Sequence, residues 1–183
     1  AAGRELLLFR QAGGDEGTWT VHSRLQRAAD SGFMSFDGSI LLTGLQGDAY
    51  GGLAVLEVTE KDAAGRWTRT QELDLSGFSW QPLTAAVDGG VIAVAGNTGS
   101  GAVIVRLFEL EPGTRSRWRK VTDLTVQQTA GTSVLGLLVN RGVVAAGYAG
   151  NARGVRIYRR GTGGAWSLEQ TLASPGVTAM DRG

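Results

Sequence analysis

The chain has 183 residues, no cysteine and a formal net charge of +1. This length can bury a core, and the lack of cysteine excludes a disulfide framework, a thiolate nucleophile and a cysteine-ligated zinc site. The near-neutral charge gives no global reason to expect nucleic acid or an anionic membrane as partner, while 29 glycines with only three prolines indicate many tight turns.

The first part of the chain predicts strands rather than helices. Residues 3–10 and 18–25 read as two strands separated by a glycine and acid turn. Residues 33–36 and 39–44 read as two more, joined by Asp37-Gly38, and Asp-Gly between apolar runs is a strong hairpin signal. No segment shows the 3.6-residue period of an amphipathic helix.

The same order then recurs along the chain. One unit begins with two apolar strands joined by an Asp-Gly or Asn-x-Gly turn. A glycine-rich loop, a third strand, a charged loop and a strand that begins with tryptophan follow. We predict a single repeat domain over 1–183. Its units lie approximately at 3–25, 33–73, 83–124 and 134–172, with a partial unit at 177–183.

A tryptophan with a leucine six residues later marks the last strand of each unit, and the tryptophans are about 50 residues apart, a period typical of solenoids and propellers. The even separation predicts that both side chains lie on the same face of the strand, where they pack structurally against the neighbouring unit. The four pairs are Trp19 and Leu25, Trp67 and Leu73, Trp118 and Leu124, and Trp166 and Leu172.

The second strand of each unit is apolar without alternation, as in Val91–Ala95 and Val143–Ala146. Such strands are buried on both faces, which is the situation of an inner strand between two adjacent propeller blades. We therefore predict an all-β fold, a β-propeller of four-stranded antiparallel blades with about 3.75 repeats present. Because the chain begins and ends within a unit, we expect either a segment of a longer propeller or a ring completed by another chain.

The repeat resembles the FG-GAP repeats of integrin-type β-propellers. The resemblance covers nearly the whole chain and rests on the glycine loop, the strand at 154–158, the tryptophan strand and the apolar strand that ends in Asp-Gly. Its Phe-Gly element is reversed at Gly32-Phe33 and Gly77-Phe78, and the calcium-binding Asp-x-Asp-x-Asp-Gly loop is absent. The resemblance implies the propeller fold and an extracellular, cell-surface or periplasmic recognition role. Because the calcium loop is absent, the calcium function is not carried over, and we expect no metal and no cofactor.

Four aromatic residues are candidates for contact with a partner. Trp80 lies outside the register of the repeat tryptophans, and it follows Phe78 in a connection that is longer than its counterparts. Tyr50 and Tyr148 lie in glycine-rich loops. Aromatic side chains on loops over a rigid scaffold are common in binding surfaces.

No catalytic constellation is predicted. His22 is the only histidine, so a zinc site and a His-based triad both lack their parts. Its parity, opposite to that of Trp19, predicts an exposed side chain on the outer strand. Glu57, Glu60 and Asp62 read as a solvated strand end and loop, and the basic run at 115–120 reads as a solvated loop and strand edge.

These observations predict a non-catalytic module for protein–protein interaction or scaffolding. The expected partner is another protein chain or a second copy, bound through exposed blade edges, with neither nucleic acid nor membrane insertion. Two alternatives stay open. The first is a carbohydrate-binding, lectin-like propeller that uses the loop aromatics, and the second is a fragment of a larger propeller enzyme.

Overall fold

The computed structural model describes residues 4–11, 19–27, 31–45, 55–79, 84–114, 116–128, 130–150 and 152–174. Within these ranges the chain forms β-strands and no helix. The predictions for Tyr50, Trp80 and the partial unit at 177–183 lie outside the described residues.

Fourteen strands are present in the described ranges, and they follow one another along the chain with short connections. They are β1 (Arg4–Gln11), β2 (Trp19–Arg27), β3 (Ser31–Phe36), β4 (Ile40–Leu45), β5 (Val55–Lys61), β6 (Trp67–Asp74), β7 (Thr84–Asp88), β8 (Val91–Asn97), β9 (Val103–Leu110), β10 (Trp118–Gln127), β11 (Ser133–Asn140), β12 (Val143–Ala149), β13 (Gly154–Arg160) and β14 (Trp166–Ala173).

The strands pair only with their neighbours in sequence and form four antiparallel sheets. Sheet I contains β1 and β2, sheet II β3 to β6, sheet III β7 to β10, and sheet IV β11 to β14. The prediction of an all-β fold made of four-stranded, blade-like sheets is therefore confirmed. In each four-stranded sheet the first two strands are joined by a turn that contains Asp or Asn, and the last strand begins with the repeat tryptophan.

The turns between the first two strands of a sheet have the predicted chemistry. Gly89 and Gly90 join β7 to β8 with φ angles of 55° and 82°. Arg141 and Gly142 join β11 to β12 with φ angles of 45° and 77°. Two consecutive left-handed residues define the type I′ hairpin turn, whose twist matches that of the flanking strands.

Inner strand β8 is buried along nearly its whole length, as predicted. Ile92 and Val94 belong to the core between sheets II and III, whereas Ala93 and Ala95 belong to the core between sheets III and IV. Strand β12 alternates instead between buried and half-buried residues. Only one face of sheet IV is covered by another sheet within the described residues.

The same-face prediction for the repeat tryptophan and leucine is wrong, because every tryptophan strand contains a β-bulge. Three residues after each tryptophan, one residue has no partner on the adjacent strand. These residues are His22, Thr70, Val121 and Glu169. One extra residue reverses the side-chain alternation, so the leucine points to the face opposite the tryptophan. Trp118 accordingly packs between sheets II and III, and Leu124 between sheets III and IV.

Each sheet thus has two chemically distinct faces, which we call its tryptophan face and its leucine face after the repeat residue that each carries. The tryptophan face of sheet III packs on the leucine face of sheet II, and the tryptophan face of sheet IV packs on the leucine face of sheet III. The stack therefore has a direction, and each junction joins unlike faces.

Candidate interaction surfaces

We call the contacts between sheets II and III and between sheets III and IV the inner junctions. In each inner junction the tryptophan indole donates a hydrogen bond to a glutamate of the preceding sheet. Trp118 Nε1 donates to Glu60 Oε1 at 2.8 Å, and Trp166 Nε1 donates to Glu109 Oε1 at 2.9 Å. Glu60 is therefore an acceptor in the packed junction, which corrects its interpretation as a solvated residue. A buried indole N–H without a partner would cost free energy, and these glutamates satisfy it.

An arginine on the tryptophan face reinforces the same junctions. Arg106 Nη1 donates to the Ser76 carbonyl at 2.7 Å, and Arg156 Nη1 donates to the Thr125 carbonyl at 3.0 Å. Both arginines occupy the same register position in the third strand of their sheet. Each acceptor lies near the end of the tryptophan strand in the preceding sheet, Ser76 just after β6 and Thr125 within β10, so the guanidinium links consecutive sheets.

Arg106 is buried and forms a two-pronged pair with Asp123, at 2.9 Å and 3.1 Å. Burial alone would disfavour the Asp123 carboxylate, but hydrogen bonds and charge from Arg106 and Lys120 outweigh it and lower the pKa of Asp123 below its ordinary value. The Phe78 ring lies over the Arg106 guanidinium, 4.9 Å from the ring centre. Phe78 therefore supports the arginine of the junction between sheets II and III.

The junction between sheets I and II lacks both of these contacts. Glu57 occupies the register position of Arg106 and cannot donate. Arg10, not a carboxylate, occupies the register position of Glu60 and Glu109, one residue before the end of the strand pairing, and Trp67 Nε1 is buried with no hydrogen-bond partner among the described residues. This junction is packed less completely than the other two.

A cavity of about 150 Å³ lies in this first junction. Its walls are leucines from both sheets together with polar residues of sheet II. They are Leu6, Leu25, Leu41, Thr43, Glu57, Thr59 and Arg69. Arg69 pairs with Glu57 at 3.0 Å and also with Glu72, so the charged groups at the cavity already satisfy one another.

The tryptophan face of sheet I is exposed. Trp19 is 61% exposed, whereas Trp118 at the same position of the repeat is 3% exposed. Phe9 and Val21 pair across the strands next to Trp19, and both are exposed. In the inner junctions the equivalent face is covered by a preceding sheet, and in the described chain nothing covers it here.

The leucine face of sheet IV is exposed in the same way. Leu172 is 46% exposed, whereas Leu124 at the same repeat position is 7% exposed. Leu138 on β11 is likewise exposed and pairs with Ala145, which points to this face of β12. The two outer faces of the stack therefore present the residue types that the inner junctions bury.

The structure separates the predicted contact residues. Phe78 is half-buried against Arg106, and a bridge pairs it with Thr98. Tyr148 is 5% exposed and packs in the core between sheets III and IV, so its ring serves the junction and not an outer surface. Trp80 and Tyr50 lie outside the described residues, and their predicted contact roles stay predictions.

The described residues contain no cluster of three or more histidine, aspartate or glutamate side chains that could hold a metal ion. His22 is the bulged residue of β2 and is exposed. Across the described ranges we also find no helix with the length and apolar character needed to cross a membrane.

The residues that sequence reasoning missed are the polar partners of the junctions, above all Glu109 and Arg106. A usable signal existed for the glutamates, because Glu60 and Glu109 are both the last residue but one of the strand that precedes a charged loop and a repeat tryptophan. The signal for the arginines was weaker, since the equivalent residue in sheet II is Glu57.

In comparisons with known proteins, no family model matches this chain and no curated protein matches it significantly. The resemblance to FG-GAP repeats therefore rests on the residues quoted above.

Proposed function

We propose that the protein is a non-catalytic interaction module that binds protein partners through the two outer faces of its sheet stack. The observation that carries the proposal is the contrast between Trp19 and Trp118, which are 61% and 3% exposed at the same position of one repeat. A large aromatic residue on an apolar face is typical of a binding surface.

The free edge of sheet I adds a second kind of contact. Among the described strands β1 pairs along one edge only, with β2. Unpaired strand edges readily accept a strand from another chain. A partner that supplies β-structure would both complete sheet I and cover its tryptophan face.

The scaffolding role and the extracellular, cell-surface or periplasmic location belong to this proposal. They are supported by the FG-GAP resemblance of the repeat, whose propellers mainly bind other macromolecules. The buried position of Tyr148 removes one aromatic from the surface, which favours a protein partner over a glycan.

Site-specific photo-cross-linking tests the proposal. A photoreactive phenylalanine analogue replaces Leu172 on the outer leucine face, and in a matched variant it replaces Leu168. The two leucines lie on the same strand and are 46% and 49% exposed, but Leu168 pairs with Tyr158 and lies on the covered face. The proposal predicts a protein adduct at 172 that is absent at 168 when cells of the source organism are irradiated. Equal adducts, or none, would contradict it.

A further inference from the structure

We propose that the partner is a second copy of this chain, bound head to tail, with the tryptophan face of sheet I in one copy packed on the leucine face of sheet IV in the other. This inference rests on the proposed function and names its partner. It follows from the direction of the stack, because each inner junction joins a tryptophan face to the leucine face of the sheet before it.

The inner junctions show what chemistry covers each outer face. A tryptophan face is covered by a leucine face that carries Leu73 or Leu124, and these residues are buried in the junctions. Leu172 occupies the same place on the outer face of sheet IV. Each copy thus carries both halves of a contact that the chain already makes twice within itself, which is the requirement for a heterologous interface.

The charged residue at the outer face of sheet IV fits this arrangement. Arg159 occupies the register position of Glu60 and Glu109, and it pairs with Glu169 at 2.8 Å. In the contact between copies Arg159 would take the position opposite Trp19 that Glu60 and Glu109 take opposite the tryptophans of the inner junctions. A guanidinium near the face of a tryptophan ring is favourable, so Arg159 would contact the Trp19 ring where the inner junctions have an indole hydrogen bond to a glutamate.

Beside the indole, the outer tryptophan face carries an ion pair, Arg24 with Glu5 at 3.0 Å, whose charges offset each other. Leu7 occupies the register position that Arg106 and Arg156 occupy in sheets III and IV. Together with Phe9 and Val21 it forms an apolar surface, which an apolar leucine face with Leu138 and Leu172 complements. Burial of these side chains would supply the association energy.

In the described residues two copies contain six four-stranded sheets and two two-stranded ones, eight sheets in all, and closed propellers have four to eight blades. Head-to-tail contacts close a ring when the rotation permits, and otherwise they extend without limit. We therefore infer a closed ring of two copies in which each outer face of one copy is covered by the other.

Light scattering over a concentration series tests the assembly. We expect the mass to level off at twice the 19.2 kDa of one chain, and the Leu172→Glu variant to dissociate at least tenfold more readily. The Leu168→Glu variant, altered on the other face of the same strand, should associate like the parent. A monomer at all concentrations, a mass that rises without limit, or equal effects of both variants would overturn the inference.

Cysteine cross-linking tests the direction of the contact, because the chain has no cysteine of its own. Val21→Cys and Ser167→Cys lie on the two faces that the inference joins. A short bis-maleimide should link a 21 variant to a 167 variant in a mixture, and it should link neither variant to itself. Links between two copies of one variant would indicate a symmetric contact and overturn the inference.

The two tests together separate this inference from the function on which it rests. A monomeric chain that still forms a photo-adduct with a different protein at position 172 would overturn the second copy as partner and leave the interaction role in place. A monomeric chain with no adduct would overturn both.

Discussion

Trp118 and Trp19 occupy the same position of the repeat but contribute differently to stability. Trp118 is buried and its indole donates to Glu60, whereas the Trp19 side chain lies on an uncovered face. Trp118→Ala should therefore lower the free energy of unfolding by about 3 to 5 kcal/mol. Trp19→Ala should change it by at most about 0.5 kcal/mol at concentrations where the chain is monomeric.

Urea unfolding followed by circular dichroism measures both values. Trp118→Phe serves as a control that keeps an aromatic ring and removes the bond to Glu60, with an expected cost of about 1 to 3 kcal/mol. Similar losses for Trp118→Ala and Trp19→Ala would contradict the assignment of buried and exposed tryptophans.

Asp123 makes stability dependent on acid pH. Its pKa in the folded protein lies below the ordinary value of 3.8 because Arg106 and Lys120 favour the carboxylate. The unfolded chain therefore binds the proton more readily, so this contribution is present above pH 3.8 and is lost as the pH falls through the folded-state pKa. Asp123→Asn should be less stable than the parent at neutral pH, and the difference should narrow below pH 3.8.

Urea unfolding at several pH values between neutral and strongly acidic conditions measures this difference. Asp62→Asn is a useful comparison, since the pKa of Asp62 is lowered first by a hydrogen bond from the Arg66 amide within one exposed turn. A constant difference between the parent and Asp123→Asn across the pH range would show that the pair with Arg106 does not titrate as described.

The element that sets the orientation of each sheet face is the β-bulge of the tryptophan strand. In β10 the bulge at Val121 separates the part of the strand that carries Trp118 from the part that carries Leu124, and a second register shift follows at Val126. Without the bulge at Val121, regular alternation would place Leu124 on the tryptophan face, and Leu124 would be missing from the junction between sheets III and IV. The bulge is therefore what allows one strand to serve two junctions.

Deletion of Val121 should abolish cooperative folding or reduce stability by more than about 4 kcal/mol, because every later side chain of β10 changes face. Val121→Ala keeps the bulge and removes only side-chain atoms, so it should cost about 1 kcal/mol. Thermal unfolding of both variants provides the measurement. A deletion variant as stable as Val121→Ala would refute the role of the bulge.

The start of β13 requires glycine for a different reason. A Cβ atom added to Gly154 would lie 2.5 Å from the Leu172 carbonyl oxygen and 2.8 Å from the Tyr148 hydroxyl. Gly154→Ala should therefore cost roughly 1 to 3 kcal/mol through overpacking. Gly99→Ala, where an added Cβ meets nothing within 4 Å, should be neutral or stabilise by about 0.4 to 1 kcal/mol. Chemical denaturation distinguishes the two, and equal effects would contradict the close approach at Gly154.

At the scale of the whole molecule, stability should be highest in the middle of the stack. Sheet III is covered on both faces, and its inner strand β8 has six consecutive buried residues. Sheet IV is covered on one face within the described chain, and its inner strand β12 alternates between buried and half-buried residues. Amide hydrogens in fully covered strands exchange with solvent only when large parts of the protein unfold.

Hydrogen exchange read by mass spectrometry should therefore show slower exchange in β8 than in β12, under conditions where the chain is monomeric. Both are second strands of their sheets and both follow a type I′ turn, so the comparison controls for local structure. At concentrations that favour the proposed ring, β12 should approach β8. Equal protection of the two strands in the monomer would contradict the uncovered face of sheet IV.

Much of the fold could be predicted from the sequence because its signals are local. The Asp-Gly and Asn-x-Gly turns, the unalternating apolar run at 91–95 and the recurring tryptophan each depend on a few neighbouring residues, and together they define four-stranded antiparallel sheets. The candidate site could not be predicted to the same extent. Glu60 and Arg106 act on residues of another sheet, and a solvated glutamate and a junction glutamate look alike in sequence.

The sequence by itself determined the strands, their order in each sheet and the repeat positions of Trp19 to Leu172. Only the tertiary structure decided which face each repeat residue occupies. The face of the leucine depends on one bulged residue, and a bulge can be recognised only from the pairing with the neighbouring strand. The tertiary structure also decided which tryptophans are buried. The same residue type at the same repeat position is core when a preceding sheet covers it, as for Trp118, and surface when none does, as for Trp19, since burial is a property of the neighbour and not of the strand.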